Sequence, residues 1–483
     1  MRVNRLMRRC WTAVVLLGLL AAAGAGGCTN RSLLRAQDAY RTGDLDRAAQ
    51  SFEAYAEQAA DSGDRVLAFL ELGNIARIRG DYRASNKAFA QAEAAIEQMD
   101  RQPRISLSRE ALVTTTNLNA LPYRASHYDR VMLSVYRALN FMHLGDFDAA
   151  RVELRRAYQR QAEAVRDNAE RIEQARDAIL QANRSGDRRA AGVDLSRTWS
   201  SPRFKSAVES RFAELEQYQA YADYVNPFAE LLQGIFLVHR AADGDDLERA
   251  RLAFARVAGM VPADGYVKQD LALAEDLARG QGADPITYVL FETGTAPARD
   301  QVRINLPLFL FNDEVDYFAA SFPTLVMDPH FVRRITVAAG SRRYPTRPVA
   351  DMDSIIAQEF RNELPVVIAK TLVASSTKAA MAWGVKEATR DRDDWLAATA
   401  LIATLVYQHA TAEADLRTWA TLPKQIQYAR LPTPGSGRAE LRVPGHEPIA
   451  VRVDPGQTNV IMVRSIHPRA PLAVSQFSLE TSP

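Results

Sequence analysis

Ser375-Ser376-Thr377-Lys378 places a hydroxyl and an amine three residues apart, the Ser-x-x-Lys spacing that lets a lysine activate a serine nucleophile in penicillin-recognising enzymes. That chemistry needs Ser-x-Asn and Lys-Thr-Gly elements downstream, and neither follows Lys378. A four-residue pattern arises easily on an amphipathic helix, and a helix surface is the expected reading. The acidic pairs Asp313 with Asp316 and Asp351 with Asp353 could supply an acid and a base. Cap and turn duties explain them more simply. The seven histidines are scattered, and no phosphate-binding glycine loop, His-Glu-x-x-His pair or Gly-x-Ser-x-Gly elbow occurs. No catalytic, metal or cofactor-binding residue is therefore assigned. The chain reads as non-enzymatic, with a hydrolase or glycan-processing activity in its C-terminal part as the alternative.

Cys28 carries the one chemical assignment. Arg2, Arg5, Arg8 and Arg9 precede an uncharged apolar run over 11–23, the charged and apolar regions of a secretory signal. Small residues lead from there to Gly26-Gly27-Cys28, which resembles the bacterial lipobox, although Ala25 stands where leucine is usual. The resemblance implies cleavage before Cys28 and acylation of its sulfur and amino group. Residues 1–27 are expected to leave as a signal peptide, and Cys10 leaves with them. Cys28 is then the only cysteine of the mature chain, so no internal disulfide is possible. Two acyl signals already anchor a protein stably. Thr29 rather than Asp follows the cysteine, and the resemblance to sorted lipoproteins then implies the outer membrane, facing the periplasm.

Charge narrows the partners. The chain has 60 basic and 58 acidic residues, and the signal removes arginines but no acids, which leaves the mature protein near neutral. That is not the basic footprint of a nucleic-acid binder. The expected partners are a protein of the cell envelope and, through the anchor, a membrane.

The elements that would carry such a partner are helical repeats. Gly43-Asp44-Leu45-Asp46 is followed by Ala48, Phe52 and Tyr55, and Gly80-Asp81-Tyr82 by Phe89 and Ala92, with the two glycines 37 residues apart. A third copy has Ala138 and Phe141, then Gly145-Asp146-Phe147, then Ala150, Leu154 and Ala157. A weaker fourth runs through Gly244-Asp245-Asp246-Leu247 to Ala250, Phe254 and Pro262. Glycine ends one helix at positive φ, aspartate caps the next, and small alanines let helices approach. These spacings resemble the tetratricopeptide repeat, with a concave surface that would hold a partner. Residues 155–181 read as a long charged helix with a solvated face, a coiled-coil contact being the sharper alternative. Ser185-Gly186 and Ser200-Ser201-Pro202 read as a polar loop, with helix resuming near Phe204, so that an insertion occupies about 158–206.

Composition shifts at Gly280-Gln281-Gly282-Ala283-Asp284-Pro285. The expected layout is 28–283 for the repeats and 284–483 for an α+β domain, making the chain an α+β multidomain protein. Strands are expected at 286–292, 332–337, 438–443 and 460–463, with Pro345 and Pro348 confining their segment to an edge. A helix capped by Asp351 or Asp353 should break at Pro365 and resume over 366–386, and a second inserted helix should span 394–415. Residues 395–412 carry no charge, but several threonines, Gln408 and His409 favour a packed helix over a membrane span.

Four stretches carry a wider resemblance: 221–228 (Tyr-Ala-Asp-Tyr-Val-Asn-Pro-Phe), the strand 289–294 with Pro297, the run 359–370 around Glu363-Leu364-Pro365, and 414–419 with Leu422-Pro423. They are similar to motifs of a family of uncharacterised tetratricopeptide-bearing lipoproteins of Gram-negative bacteria. The family has no defined functional residues to transfer. Its genes can lie near those for lipoprotein activators of penicillin-binding proteins, which implies a link to cell-wall synthesis. The run Asp415 to Trp419 reads equally as a functional motif and as a structural corner in which Arg417 pairs and Trp419 packs. The function expected is a lipid-anchored periplasmic scaffold, with a peptidoglycan-binding or glycan-processing C-terminal domain as the alternative.

Overall fold

The computed structural model describes residues 27–102, 122–184, 194–218, 221, 224–309, 315–388 and 415–480, leaving aside the side chains of 27–30, 306–309, 315–320 and 374–388. The Gly-Asp signatures are helix corners. Helices α1 (Gly27–Arg41) and α2 (Leu45–Ala59) meet at Gly43, α3 (Arg65–Ile78) and α4 (Tyr82–Arg101) at Gly80, and α5 (His127–His143) and α6 (Phe147–Arg184) at Gly145. These glycines have φ of 81°, 84° and 73°. Each donates its amide three residues back while the following aspartate donates five back, the helix closure glycine accepts without strain. Asp44, Asp81 and Asp146 then accept the amides of Arg47, Ala84 and Ala149 and start the next helix.

The fourth corner, between α9 (Pro227–His239) and α10 (Gly244–Met260), departs from the expected signature. Asp243 is the cap, accepting the Asp246 amide at 3.0 Å, and Gly244 is the first helical residue. Here the Arg240 carbonyl is held by the guanidinium of Arg151. Helix α11 (Gly265–Ala278) follows the fourth pair.

Within a pair, a missing side chain sets the helix spacing. A Cβ on Gly73 would lie 2.4 Å from the Phe89 ring, and one on Gly234 would lie 2.6 Å from that of Phe254. Each ring is buried against the backbone of the preceding helix.

The long charged helix is the second member of the third pair, running on to 38 residues. Its far half is not solvated all round. Ala175, Ile179 and Ala182 pack with Phe204, Val208 and Phe212 in a second core, against the short helices α7 (Leu195–Ser200) and α8 (Pro202–Phe212). The expected polar loop at Ser200-Ser201-Pro202 is a helix-to-helix corner, with Pro202 opening α8 at the position where a lost amide costs nothing.

Strands begin at β1 (Ile286–Thr293), followed by the hairpin β2 (Ala298–Phe309) and β3 (Val315–Val326), then β4 (Thr336–Ala339), β5 (Arg342–Pro345) and β6 (Arg347–Asp351). Helix α12 (Met352–Ala388) intervenes, and β7 (Gln425–Pro432), β8 (Arg438–Arg442), β9 (Ile449–Arg452), β10 (Asn459–Ser465) and β11 (Ala473–Ser478) complete the described chain. The main sheet has the order β11-β10-β1-β7-β6, with β1 and β10 parallel and the other pairs antiparallel. A second sheet has the order β5-β4-β8-β9.

Side-chain alternation makes the main sheet a middle layer. Tyr288 and Leu290 of β1, Ile426 and Tyr428 of β7 and Val460 and Met462 of β10 face the helices, sharing one core with Phe52, Phe89, Tyr136 and Phe236. The alternate residues Val289, Phe291, Leu431, Ile461 and Val463 pack on Val337, Leu441 and Val451 of the second sheet. A sheet covered on both faces reads as unbroken apolar runs, which is why 286–292 and 460–463 stood out. Helix α12 runs through Pro365 without the expected break. The ring removes one amide donor, and burial of Val366, Ala369, Leu372 and Val373 in the second core holds the helix together. The second inserted helix expected at 394–415 lies outside the described residues, apart from Asp415. Among the described residues no helix is long and apolar enough to cross a membrane.

Replacing Gly73 by alanine should lower stability by about 1–3 kcal/mol through overpacking against Phe89. Gly259→Ala, whose Cβ meets nothing in α10, should be neutral or stabilising by up to about 1 kcal/mol. Urea unfolding midpoints of the two variants check both.

Candidate functional site

The residues singled out for chemistry separate on the structure. Cys28 is the second residue of α1, and the stretch before residue 27 lies outside the described residues. Ser375 and Lys378 lie along α12 and Asp316 in β3, with side chains outside the described parts; Asp313 and His409 are also outside. Asp351 accepts the Ser354 amide as a cap at 3.2 Å, whereas Asp353 is buried in an ion pair with Lys424. Among the described residues no group of acids, histidines or cysteines could hold a metal.

A different set of polar residues converges instead. The last turn of the first helix in each pair reaches the main sheet. Tyr40 accepts from Arg464 at 2.6 Å, Arg77 pairs with Glu292 at 2.6 Å, His143 meets Ser475 at 3.1 Å, and His239 meets the Tyr288 hydroxyl at 3.0 Å. Between the helices and the sheet runs the segment 415–424. Glu71 accepts the amides of Ala420 and Thr421 at 2.8 and 3.1 Å, and the Thr421 carbonyl accepts from Tyr40 and Asn74, each at 2.9 Å. The Thr421 hydroxyl accepts from Asn74 at 3.1 Å and from the Trp419 indole at 2.9 Å. The face of the first helices is therefore covered by the chain itself, because these helices carry polar groups matched to this segment and this sheet.

The motifs behind the family resemblance act as pins in the same assembly. Arg417 forks onto Asp415 at 2.7 Å and reaches Asp64 at 2.6 Å, while Trp419 is fully buried and edge-on to Phe89 and Tyr136. Of the two readings of 415–419, the geometry matches the structural corner. Glu359 accepts the amides of His127 and Tyr128 at 2.6 and 3.0 Å, placing a carboxylate at the N-terminus of α5. Glu363 pairs with Arg171, and Asn226 caps α9 through the Phe228 amide.

One contact resembles a nucleophile and base. His143 Nε2 lies 3.1 Å from Ser475 Oγ, and Nδ1 lies 3.0 Å from the Leu139 carbonyl, which orients the ring. Its surroundings oppose catalysis. The imidazole is stacked on Tyr82 at 4.0 Å and leans on Phe477 at 4.3 Å. Burial pushes its pKa down to about 4, well below that of a base working near neutrality. The adjoining cavity, between Arg77, Glu292 and Arg464, is about 30 Å³, room for about two waters and not for a substrate. What the contact does is tie α5 to the edge strand β11.

Sequence reasoning missed Glu71, Asn74 and Arg77, although a signal was present. They recur every three residues along α3, so one stripe of an otherwise apolar helix is polar.

On the side built by the second helices, α6 and α10 leave between them an open groove of about 510 Å³, which the sheet does not reach.

The sequence matches no protein-family model and no curated protein. A solved tetratricopeptide repeat protein from Parabacteroides merdae ATCC 43184 is similar at 17% identity, over 51% of this chain and 98% of that one, with a TM-score of 0.14. At that overlap the likeness carries no argument about arrangement. The repeats rest on this chain's own corners.

Burial raises the Glu71 carboxyl from 4.5 in the unfolded chain to about 7, against the pull of the hydrogen bonds it accepts. The folded state thus holds a proton that the unfolded state has released, and stability from this group falls as pH rises through that window. Buried His143 and His239, both lowered to about 4, act in the opposite sense below pH 6.5. They are common to a Glu71→Gln variant and cancel in the difference. The stability of the wild type relative to Glu71→Gln should fall by on the order of 2 kcal/mol between pH 5 and pH 8. Urea melts of both proteins at each pH check this, and a difference independent of pH would contradict it.

Proposed function

We propose that the chain is a non-enzymatic scaffold of the bacterial cell envelope, held by acyl chains on Cys28 at the periplasmic face of the outer membrane. It binds a protein partner through its helical repeats, and the family resemblance links that partner to cell-wall synthesis. The observation that carries this reading is the helical array itself. Among the described residues, the four repeat pairs α1–α2, α3–α4, α5–α6 and α9–α10 are braced on one side by a sheet, while the side made by the second helices keeps a roomy groove open. Repeats so braced form a rigid surface, and a rigid surface loses little entropy when a partner binds. The mature chain would begin at Cys28, at the very start of α1, so the first helix pair would lie nearest the membrane.

The experiment is chemical cross-linking in intact cells followed by detergent extraction. The wild-type protein should be recovered with a discrete envelope protein, and recovery strictly alone would overturn the scaffold reading. Removing whole repeats is unsuitable as a control, because they share a core with the sheet; exposed substitutions on α6 and α10 serve instead. In parallel, Cys28→Ala should move the protein from the membrane to the soluble fraction, and mass spectrometry of the wild-type N-terminus should find acyl chains on Cys28. An unmodified Cys28 would remove the anchor and the outer-membrane placement together.

A further inference from the structure

We infer that the groove between α6 and α10 binds an acidic segment of a partner protein, one that inserts an apolar side chain flanked by carboxylates. The inference rests on the scaffold reading and assigns the surface and the chemistry that reading leaves open.

The groove exists because the second helices of the third and fourth pairs do not interdigitate. They are joined by polar bridges. Arg151 of α6 pairs with Asp246 of α10 at 2.5 Å, and the guanidinium of Arg256 lies 5.4 Å from the centroid of the Tyr158 ring. Helix α9 lies beneath, so the floor is apolar, made by buried Phe236 and Leu237 with Leu154 of α6. Above the floor, Tyr158 and Leu252 remain 45% and 42% exposed, large apolar surfaces left in water.

The rim is basic. Arg151 and Arg155 stand one turn apart on α6, and Arg249 and Arg256 share a face of α10. Two acids, Asp246 and Glu230, offset part of this charge by holding Arg151 and Arg256. Arg155 makes no ion pair among the described residues, and Arg249 is 57% exposed and only loosely held by Asp246 at 3.4 Å. The local surplus is positive in a chain whose total charge is close to balanced.

A volume of about 510 Å³ falls within the range of binding sites, about 300–1,000 Å³. An inorganic anion would need donors that converge on one point, whereas these guanidiniums line two opposite walls and leave an apolar floor unfilled. A peptide meets both demands, with an apolar anchor on the floor and carboxylates on the walls.

The probe is a fluorescein-labelled peptide with a central Leu-Phe pair flanked on each side by three glutamates, titrated into the detergent-solubilised full chain. Binding should be seen at about 50 mM salt and should weaken as salt screens the rim. Arg155→Glu combined with Arg249→Glu should weaken it at least tenfold, as should Leu252→Ser, while the peptide with lysine for glutamate should not bind. These side chains are exposed, so an unchanged urea midpoint shows that the variants are folded. Absence of peptide binding, or binding indifferent to the substitutions, would overturn the inference. So would capture of phosphatidylglycerol vesicles, lost in the double variant, by a protein that ignores the peptide. If the cross-linked partner persists on the double variant, the scaffold reading stands and this groove is not its site; if the partner is lost from that variant, both stand.

Discussion

Thr421 lies in irregular backbone with no exposed surface, and a peptide unit so placed must find partners within the protein or leave buried donors and acceptors unmet. It finds them on two helices. Its amide goes to Glu71, its carbonyl accepts from Tyr40 and Asn74, and its hydroxyl joins Asn74 to the Trp419 indole. Arg464 extends the network from Tyr40 to the sheet, and Arg77 extends it from Asn74 to Glu292. A side-chain network of this kind in a low-dielectric interior is expensive to satisfy in part and stabilising only when nearly complete. The position of the helices, the segment and the sheet is therefore decided together.

That constraint redistributes the surfaces of the molecule. An array of stacked helix pairs offers two faces, and here the first helices spend theirs on the chain's own sheet. Buried carboxyls and imidazoles that could have suggested chemistry are occupied in the same work: Asp270 accepts from Tyr288 and Tyr428, Asp353 meets Lys424, and Glu359 closes the start of α5. Burial raises Asp270 to about 6 and lowers His239 to about 4, shifts that reflect the loss of solvent around both groups. Of the two faces of the array, the one left in contact with water is that of the second helices, where arginines rather than apolar contacts bridge α6 and α10.

Local signals were the legible ones. The Gly-Asp corners, the alternating strand 438–442 and the apolar runs of β1 and β10 follow from backbone conformation and from burial on one or both faces, which the residues themselves encode. The Asp415 to Trp419 corner was legible only as one of two readings, because the run itself does not say whether Arg417 pairs within the protein or meets a ligand. The hairpin β2–β3 and strand β7 were not anticipated. Strand β7 holds Gln425, Gln427 and Arg430 among its apolar residues, and polar strands of this kind are settled only by the neighbours they pair with. Pro365 misled because local propensity argued for a break that distant burial overrode. The basic groove was hidden by near-neutral composition, since only folding gathers Arg151 and Arg155 with Arg249 and Arg256.

Shared burial of helices and sheet is the centre of this account, and native-state hydrogen exchange followed by mass spectrometry across rising denaturant tests it most directly. Peptides from α3 and α5 and peptides from β1 and β10 should lose protection in one common transition, as expected of elements that open together. If the sheet opens at low denaturant while the helices keep full protection, the seam at Thr421 is not what holds the two together.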